Sequence, residues 1–111
     1  MDVTNFCFSK DNELEDLGGG VSRRMAVYAD NAMVVEVHFE EGAVGAVHSH
    51  PHEQISYVVS GAFEFQIGDE TKIVRAGDTT YKQPNIPHGA KCLEKGMLLD
   101  FFTPHREDFV K

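Results

Sequence analysis

Phe63, Phe65 and Ile67 alternate with Glu64 and Gln66, the two-residue period of a strand with one buried face. Similar short runs recur along the chain. Residues 24–29 and 32–39 flank Asp30-Asn31, a pair suited to a tight hairpin turn. Residues 55–60 and 62–67 flank Gly61, and the run Gly68-Asp69-Glu70 starts a further turn. Residues 72–75, 79–82 and 97–103 complete the predicted strands. The helical signal is residues 11–17, DNELEDL, which predict a short helix capped by Asp11 and stopped by the glycines at 18–20. Many short strands punctuated by glycine predict an all-β fold that deals with its edges by closing into a small antiparallel barrel. The mouth of such a barrel is a natural place for a ligand.

A length of 111 residues suits one domain with a modest core, residues 1–111, and 41% hydrophobic with 25% charged residues is the profile of a soluble globular protein. No run approaches the ~20 apolar residues that span a bilayer, and the first residues lack the basic head and apolar stretch of a signal peptide. The expected compartment is the cytoplasm. There, Cys7 and Cys92, far apart in sequence, read as free, small core residues rather than a disulfide. The net charge of −8, with ten Lys and Arg, argues against nucleic acid as a partner. An anionic ligand would need a concentrated local positive site.

The heptapeptide HSHPHEQ, residues 48–54, supplies such a site. In an extended chain His48 and His50 project to the same side, ~7 Å apart, and imidazoles at that spacing can converge on one cation at ~2.0–2.1 Å. Pro51 then bends the chain, so His52 leaves the row and Gln54 can return to it. A further candidate ligand is His88 in PNIPHG, stiffened by Pro84 and Pro87 at the end of a strand. His38 and His105 read as ordinary core or surface residues, and Lys82 as sheet surface.

Here the chain resembles the cupin superfamily, whose motifs are G-x5-H-x-H-x3-E-x6-G and G-x5-P-x-G-x2-H-x3-N. The first reads Gly42, His48, His50, Gln54 and Gly61 with every spacing kept. The second reads Gly77, Gln83, Asn85, His88 and Cys92, spacing kept but Pro, Gly and Asn replaced. The resemblance covers roughly residues 24–104. It implies a double-stranded β-helix (jelly-roll) barrel and a divalent metal ion, Zn, Ni, Mn, Fe or Co, held by His48, His50, Gln54 and His88.

Glutamine at position 54, where the motif has a carboxylate, leaves a divalent ion with three neutral imidazoles at a formal charge of +2. The ion is then a stronger Lewis acid and a better partner for an anion in an acidic protein. It also removes a base from the metal. Asp100 offers a replacement: it stands among apolar residues in MLLDFFTPHREDF, on the same strand face as Leu98 and Phe102. A carboxylate there is costly to bury unless paired or functional. Two readings stay open: a partner orienting a metal histidine, or a general acid/base. Arg106 can clamp a carboxylate with its planar fork or pair with Glu107 or Asp108. Phe102 packs against a ligand ring or fills the barrel.

The segments LGGG, HSHPHEQ, YVVSG and DFFTPHREDF together make the chain similar to the KdgF-type pectin-degradation proteins within the cupins. That resemblance implies a non-redox enzyme that opens 4,5-unsaturated monouronates, released by pectin or alginate lyases, into linear 5-keto-4-deoxyuronates. It places Asp100 and Arg106 in catalysis, Phe102 and Arg106 on the substrate, and the protein in a homodimer; an exposed edge strand near the N-terminus could support such pairing. Competing expectations are a cupin dioxygenase, which consumes oxygen, and a sugar-binding cupin, which binds a uronate and leaves it intact.

Overall fold

A computed structural model describes residues 5–110. Eight strands, all paired antiparallel, make the fold: β1 (Glu15–Gly18), β2 (Val21–Tyr28), β3 (Met33–Phe39), β4 (Val44–His48), β5 (Glu53–Ile67), β6 (Glu70–Arg75), β7 (Thr79–Lys82) and β8 (His88–Thr103). Two short 3-10 turns, Ser9–Asp11 and Glu107–Phe109, flank them. No helix of the described residues is long and apolar enough to cross a membrane.

The long strands β5 and β8 pair with each other from Glu53↔Thr103 to Ile67↔His88 and belong to both layers of the barrel. In one layer the C-terminal half of β8 pairs β3, which continues to β2 and β1, while the first residues of β5 pair β7. In the other, the N-terminal half of β8 pairs β4 and the second half of β5 pairs β6. Both long strands bend where they pass between layers. Gly61 and Gly96 meet there: a Cβ on Gly96 would stand 2.1 Å from the Ser60 carbonyl, and one on Gly61 2.5 Å from the Glu94 carbonyl. Only glycine leaves room for the crossing.

The bend also inverts the phase of β5. Before it, Gln54, Ser56 and Val58 are buried and Ile55, Tyr57 and Val59 exposed; after it, Phe63 and Phe65 are buried. The register shifts between Val58 and Phe63 absorb the odd residue, as a bulge does. Gly61 is therefore a bulge inside one strand, where its flanking runs predicted two strands and a turn. The same continuity extends the strand predicted at 97–103 back to His88. β4 was not among the predicted strands.

The core between the layers holds Phe39, Val58, Phe63, Phe65, Cys92 and Leu98, with Phe39 and Phe63 edge to face at 5.2 Å. Met33, Val35 and Phe102 form a second cluster. Cys92 is a free core cysteine as predicted, whereas Cys7 is free but exposed. The hairpin at Asp30-Asn31 is closed by the Ala29 amide donating to the Ala32 carbonyl at 2.8 Å.

The helix predicted at 11–17 does not form. Leu14 and Leu17 are its two apolar residues and both are exposed, so a helix there would have no buried face to stabilise it. The backbone instead pairs with β2 as edge strand β1, and Glu15 accepts from Arg23 Nε at 3.0 Å. Gly18, Gly19 and Gly20 all take positive φ and turn the chain into β2, so the predicted stop is a turn.

Candidate metal centre

His48 ends β4, His50 lies in the loop after it, Gln54 sits near the start of β5 and His88 begins β8. His48 and His88 are opposite each other in the β4–β8 ladder, with ring centroids 4.5 Å apart. His50 joins them across the Pro51 bend, its ring 4.9 Å from that of His88 and 5.6 Å from that of His48. The Asn85 amide donates to the His50 carbonyl at 2.7 Å, tying the loop before β8 to the loop after β4. Convergence therefore comes from the ladder and the bend, since His50 lies outside the strand on which alternation would have aligned it with His48. His88 starts its strand, where the prediction put it at a strand's end.

Each of the three rings is oriented in the same way. Nδ1 of His48 donates to the Ala46 carbonyl at 2.8 Å, Nδ1 of His50 to the His52 carbonyl at 3.1 Å, and Nδ1 of His88 to the Ile86 carbonyl at 3.0 Å. A carbonyl accepts only, so Nδ1 carries a proton, and in the neutral ring Nε2 then presents its lone pair. One ring nitrogen from each histidine lies within 4.8 Å of those of the other two. Burial holds His50 below the ordinary imidazole value of 6.5 and pushes His88 down to about 4, with neighbouring positive groups adding to the effect. Neutral rings with free Nε2 are the form that binds a cation.

Two observations test the fit of an ion. Nε2 of His88 is buried and has no hydrogen-bond partner among the described residues. Nε2 of His50 faces Oε1 of Gln54 at 2.9 Å, which in the neutral ring sets one acceptor against another. Ligand atoms ~2.1 Å from one ion stand about 3 Å apart when they meet at a right angle, so a divalent cation satisfies both contacts. The donor set fits.

The cluster opens on a cavity of about 160 Å³ between the layers. Val35, Val37, Phe39 and Leu98 line its apolar side, and His48, Gln54, His88, Asp100 and Arg106 its polar side. Asp100 and Phe102 face inward with Leu98, as alternation predicts. Phe102 is buried in the core and its ring packs edge-on to His50 at 5.6 Å. Asp100, half-buried, accepts from Ser56 Oγ at 2.6 Å, the polar partner such a position favours. The Arg106 fork is engaged by Asp108, Nε at 3.0 Å and Nη2 at 2.7 Å, while its guanidinium lies over Phe109 at 4.3 Å and Phe102 at 5.4 Å. That ion pair holds the Asp108 carboxyl below the usual carboxylate range.

His38 and His105 lie outside the cluster, bonded to Glu36 and to the Asp30 carbonyl. Lys82 corrects the prediction. It is fully buried, where sheet surface was expected, and Nζ donates to Ser56 Oγ at 2.5 Å and Thr80 Oγ1 at 2.7 Å. Burial pushes its ammonium down to about 8, the Asp100 charge opposing. The β5–β7 register, Gln54↔Lys82 and Ser56↔Thr80, carries Lys82 under the site, and no local signal in TTYKQP announces it. Arg23 is a second residue the sequence did not flag: it lines the cavity with its guanidinium 4.2 Å over Phe109.

Residues 35–102 match the sequence model of the Cupin domain family. The chain belongs to the cupin family. It is 43% identical over 98 residues to the pectin degradation protein KdgF of Dickeya dadantii, covering 86% of this chain and 89% of that protein. The solved RmlC-like cupin of Shewanella frigidimarina superposes with a TM-score of 0.92 at 42% identity, covering 96% of each chain. KdgF from Halomonas sp. superposes at 0.91 with 34% identity, covering 96% of this chain and 98% of that one. The barrel expected from the motifs is the barrel present. In this cupin the motif glycines Gly42, Gly61 and Gly77 all have positive φ, and Asn85, standing where the second motif has glycine, takes φ 66°. Asparagine tolerates that left-handed conformation better than most residues, so the turn that delivers His88 survives the replacement.

Proposed function

We propose that this cupin is a metal-dependent enzyme of pectin breakdown that opens 4,5-unsaturated monouronates into linear 5-keto-4-deoxyuronates. One observation carries the reading: three imidazoles and a carbonyl oxygen converge beside a small cavity that also holds a carboxylate, and the relatives named KdgF cover nearly the whole chain. His48, His50, Gln54 and His88 would hold the ion. When bound, it supplies positive charge that stabilises the enolate developing on the substrate. With a neutral amide as fourth ligand, that charge is undiminished.

The rest of the chemistry falls to the chain's own side chains. Asp100, the carboxylate of the cavity, takes the proton of the anomeric hydroxyl. The bond from C1 to the ring oxygen breaks as the C1 aldehyde forms, and the electron pair passes to the ring oxygen as a C5 enolate. Return of that proton from Asp100 to C4, directly or through water, gives the ketone, so the reaction is a redox-neutral isomerisation. Arg106 keeps N–H groups beyond the two bonded to Asp108 and offers them to the substrate carboxylate, with Phe102 packed beneath its guanidinium. The apolar wall of Val35, Val37 and Leu98 keeps water from the reacting carbons.

The test is turnover of a 4,5-unsaturated galacturonate monomer, followed by loss of the ultraviolet absorbance of its conjugated enol ether, before and after chelation. The proposal expects conversion without oxygen uptake, abolished by chelator and restored by divalent metal. Oxygen consumption would make the protein a dioxygenase, and binding without conversion a sugar-binding cupin; either result overturns the proposal.

A further inference from the structure

Beneath the histidines Ser56 joins three polar side chains. Ser56, fully buried, receives Lys82 Nζ at 2.5 Å and Gln54 Nε2 at 3.3 Å, and donates to Asp100 Oδ1 at 2.6 Å. The directions follow from valence. An ammonium only donates, and a carboxylate only accepts. The single proton of Ser56 therefore goes to Asp100, its strongest acceptor, and its lone pairs are left to receive from Lys82 and Gln54.

That arrangement decides which end of the Gln54 amide faces the histidines. Rotated by half a turn, Nε2 would donate to the bare Nε2 of His50, and Oε1 would face Ser56. Toward His50 alone the rotated amide is the better fit, because a donor would meet an acceptor. Toward Ser56 it is excluded, because a carbonyl oxygen would meet lone pairs with no proton between them.

We propose that Ser56, its proton committed to Asp100 and its lone pair to Lys82, is a positioning residue. It locks the Gln54 amide with the carbonyl oxygen toward His48, His50 and His88 and so pre-sets the fourth ligand. The inference rests on these residues holding a divalent ion and is independent of the substrate. Groups that hold a metal ligand in place typically change metal affinity 10–100-fold when removed.

The experiment is a double-mutant cycle read by competition of the full chain with a chromophoric chelator for Ni²⁺, with no turnover involved. Ser56→Ala is expected to weaken Ni²⁺ binding on the order of tenfold when residue 54 is Gln. In a Gln54→Glu background it is expected to change binding less than about twofold, because a carboxylate presents an oxygen whichever way it turns. Equal losses in both backgrounds would mean that Ser56 acts only on the fold, and no loss in the Gln54 background would mean that the amide needs no lock. Either overturns the inference. Failure of the unsubstituted protein to bind Ni²⁺ would overturn the metal centre itself, whereas binding without turnover would leave the inference standing and remove the proposed activity. Unfolding midpoints in chelator report folding separately. If Ser56→Ala does not fold, Ser56→Cys, of similar volume and a weak donor, takes its place in the cycle with the same expected outcomes.

Discussion

Strands β5 and β8 run side by side through the whole barrel, yet what they turn inward differs on the two sides of the Gly61–Gly96 crossing. On one side, beyond the His88 that opens β8, are Phe63, Phe65 and Cys92, which need only volume and the absence of water. On the other are Gln54, Ser56 and Asp100, each of which needs a partner of stated polarity at a stated distance. The apolar side tolerates changes that conserve volume. The polar side does not, since removing one member leaves the others buried with groups unpaired. The difference teaches that one ladder can supply stability in one segment and chemistry in the next.

The largest expected effect tests the metal centre, which draws His88 from the Cys92 end of β8 and Gln54 from the far side of the crossing. His88→Ala, or chelation of the unsubstituted protein, should reduce unsaturated-uronate turnover to the uncatalysed background while the far-ultraviolet circular dichroism stays that of a β-barrel. On the apolar side, Phe63→Ala should cost about 3–5 kcal/mol in denaturant unfolding, with metal binding preserved in the molecules that remain folded. If it instead abolished metal binding in the folded protein, the two sides would not be separable. Asp100→Ala should lower turnover by ~10²–10⁴ with metal still bound; full activity would exclude Asp100 as the base.

A smaller effect distinguishes the histidines from the apolar core through pH. His50 and His88 are held below 6.5 by burial, His88 at about 4. As pH falls below about 6.5 the unfolded chain takes up protons that the folded one refuses, so the metal-free protein should lose stability progressively until about 4, where folded His88 also protonates. Thermal unfolding in chelator at pH 7 and 4.5 checks it, the midpoint being lower at 4.5. His88→Asn should flatten that dependence, and Phe63→Leu should leave its slope unchanged. The smallest effect is that of His38→Ala, which removes a histidine outside the cluster and should leave turnover within about twofold.

Much of the site can be read from local spacing. His48 and His50 two residues apart, Gln54 four beyond, and His88 after a proline-stiffened turn all reach one place. Alternation around Asp100 correctly turned Leu98 and Phe102 inward with it. What failed to read has a common cause. Ile55, Tyr57 and Val59 are apolar and exposed, and the phase of β5 inverts at a bulge whose existence depends on Gly96 approaching from another strand. Lys82 looked like surface because burying an ammonium is costly, and the partners that offset the cost, Ser56 and Asp100, are distant in sequence.

The order of residues in this chain by itself determined the alternation within each strand segment, the positive-φ turn at Gly18–Gly20, the ligand spacing and the acidic balance, because none of these needs a partner distant in sequence. The pairing of β5 with β7 and β8 decided the rest: that His88 faces His48, that Ser56 meets Asp100, and that a lysine lies under the glutamine. Those contacts join residues 26 to 44 positions apart. Hydrogen bonds over such separations form only once the ladder sets the register, and no local pattern encodes it.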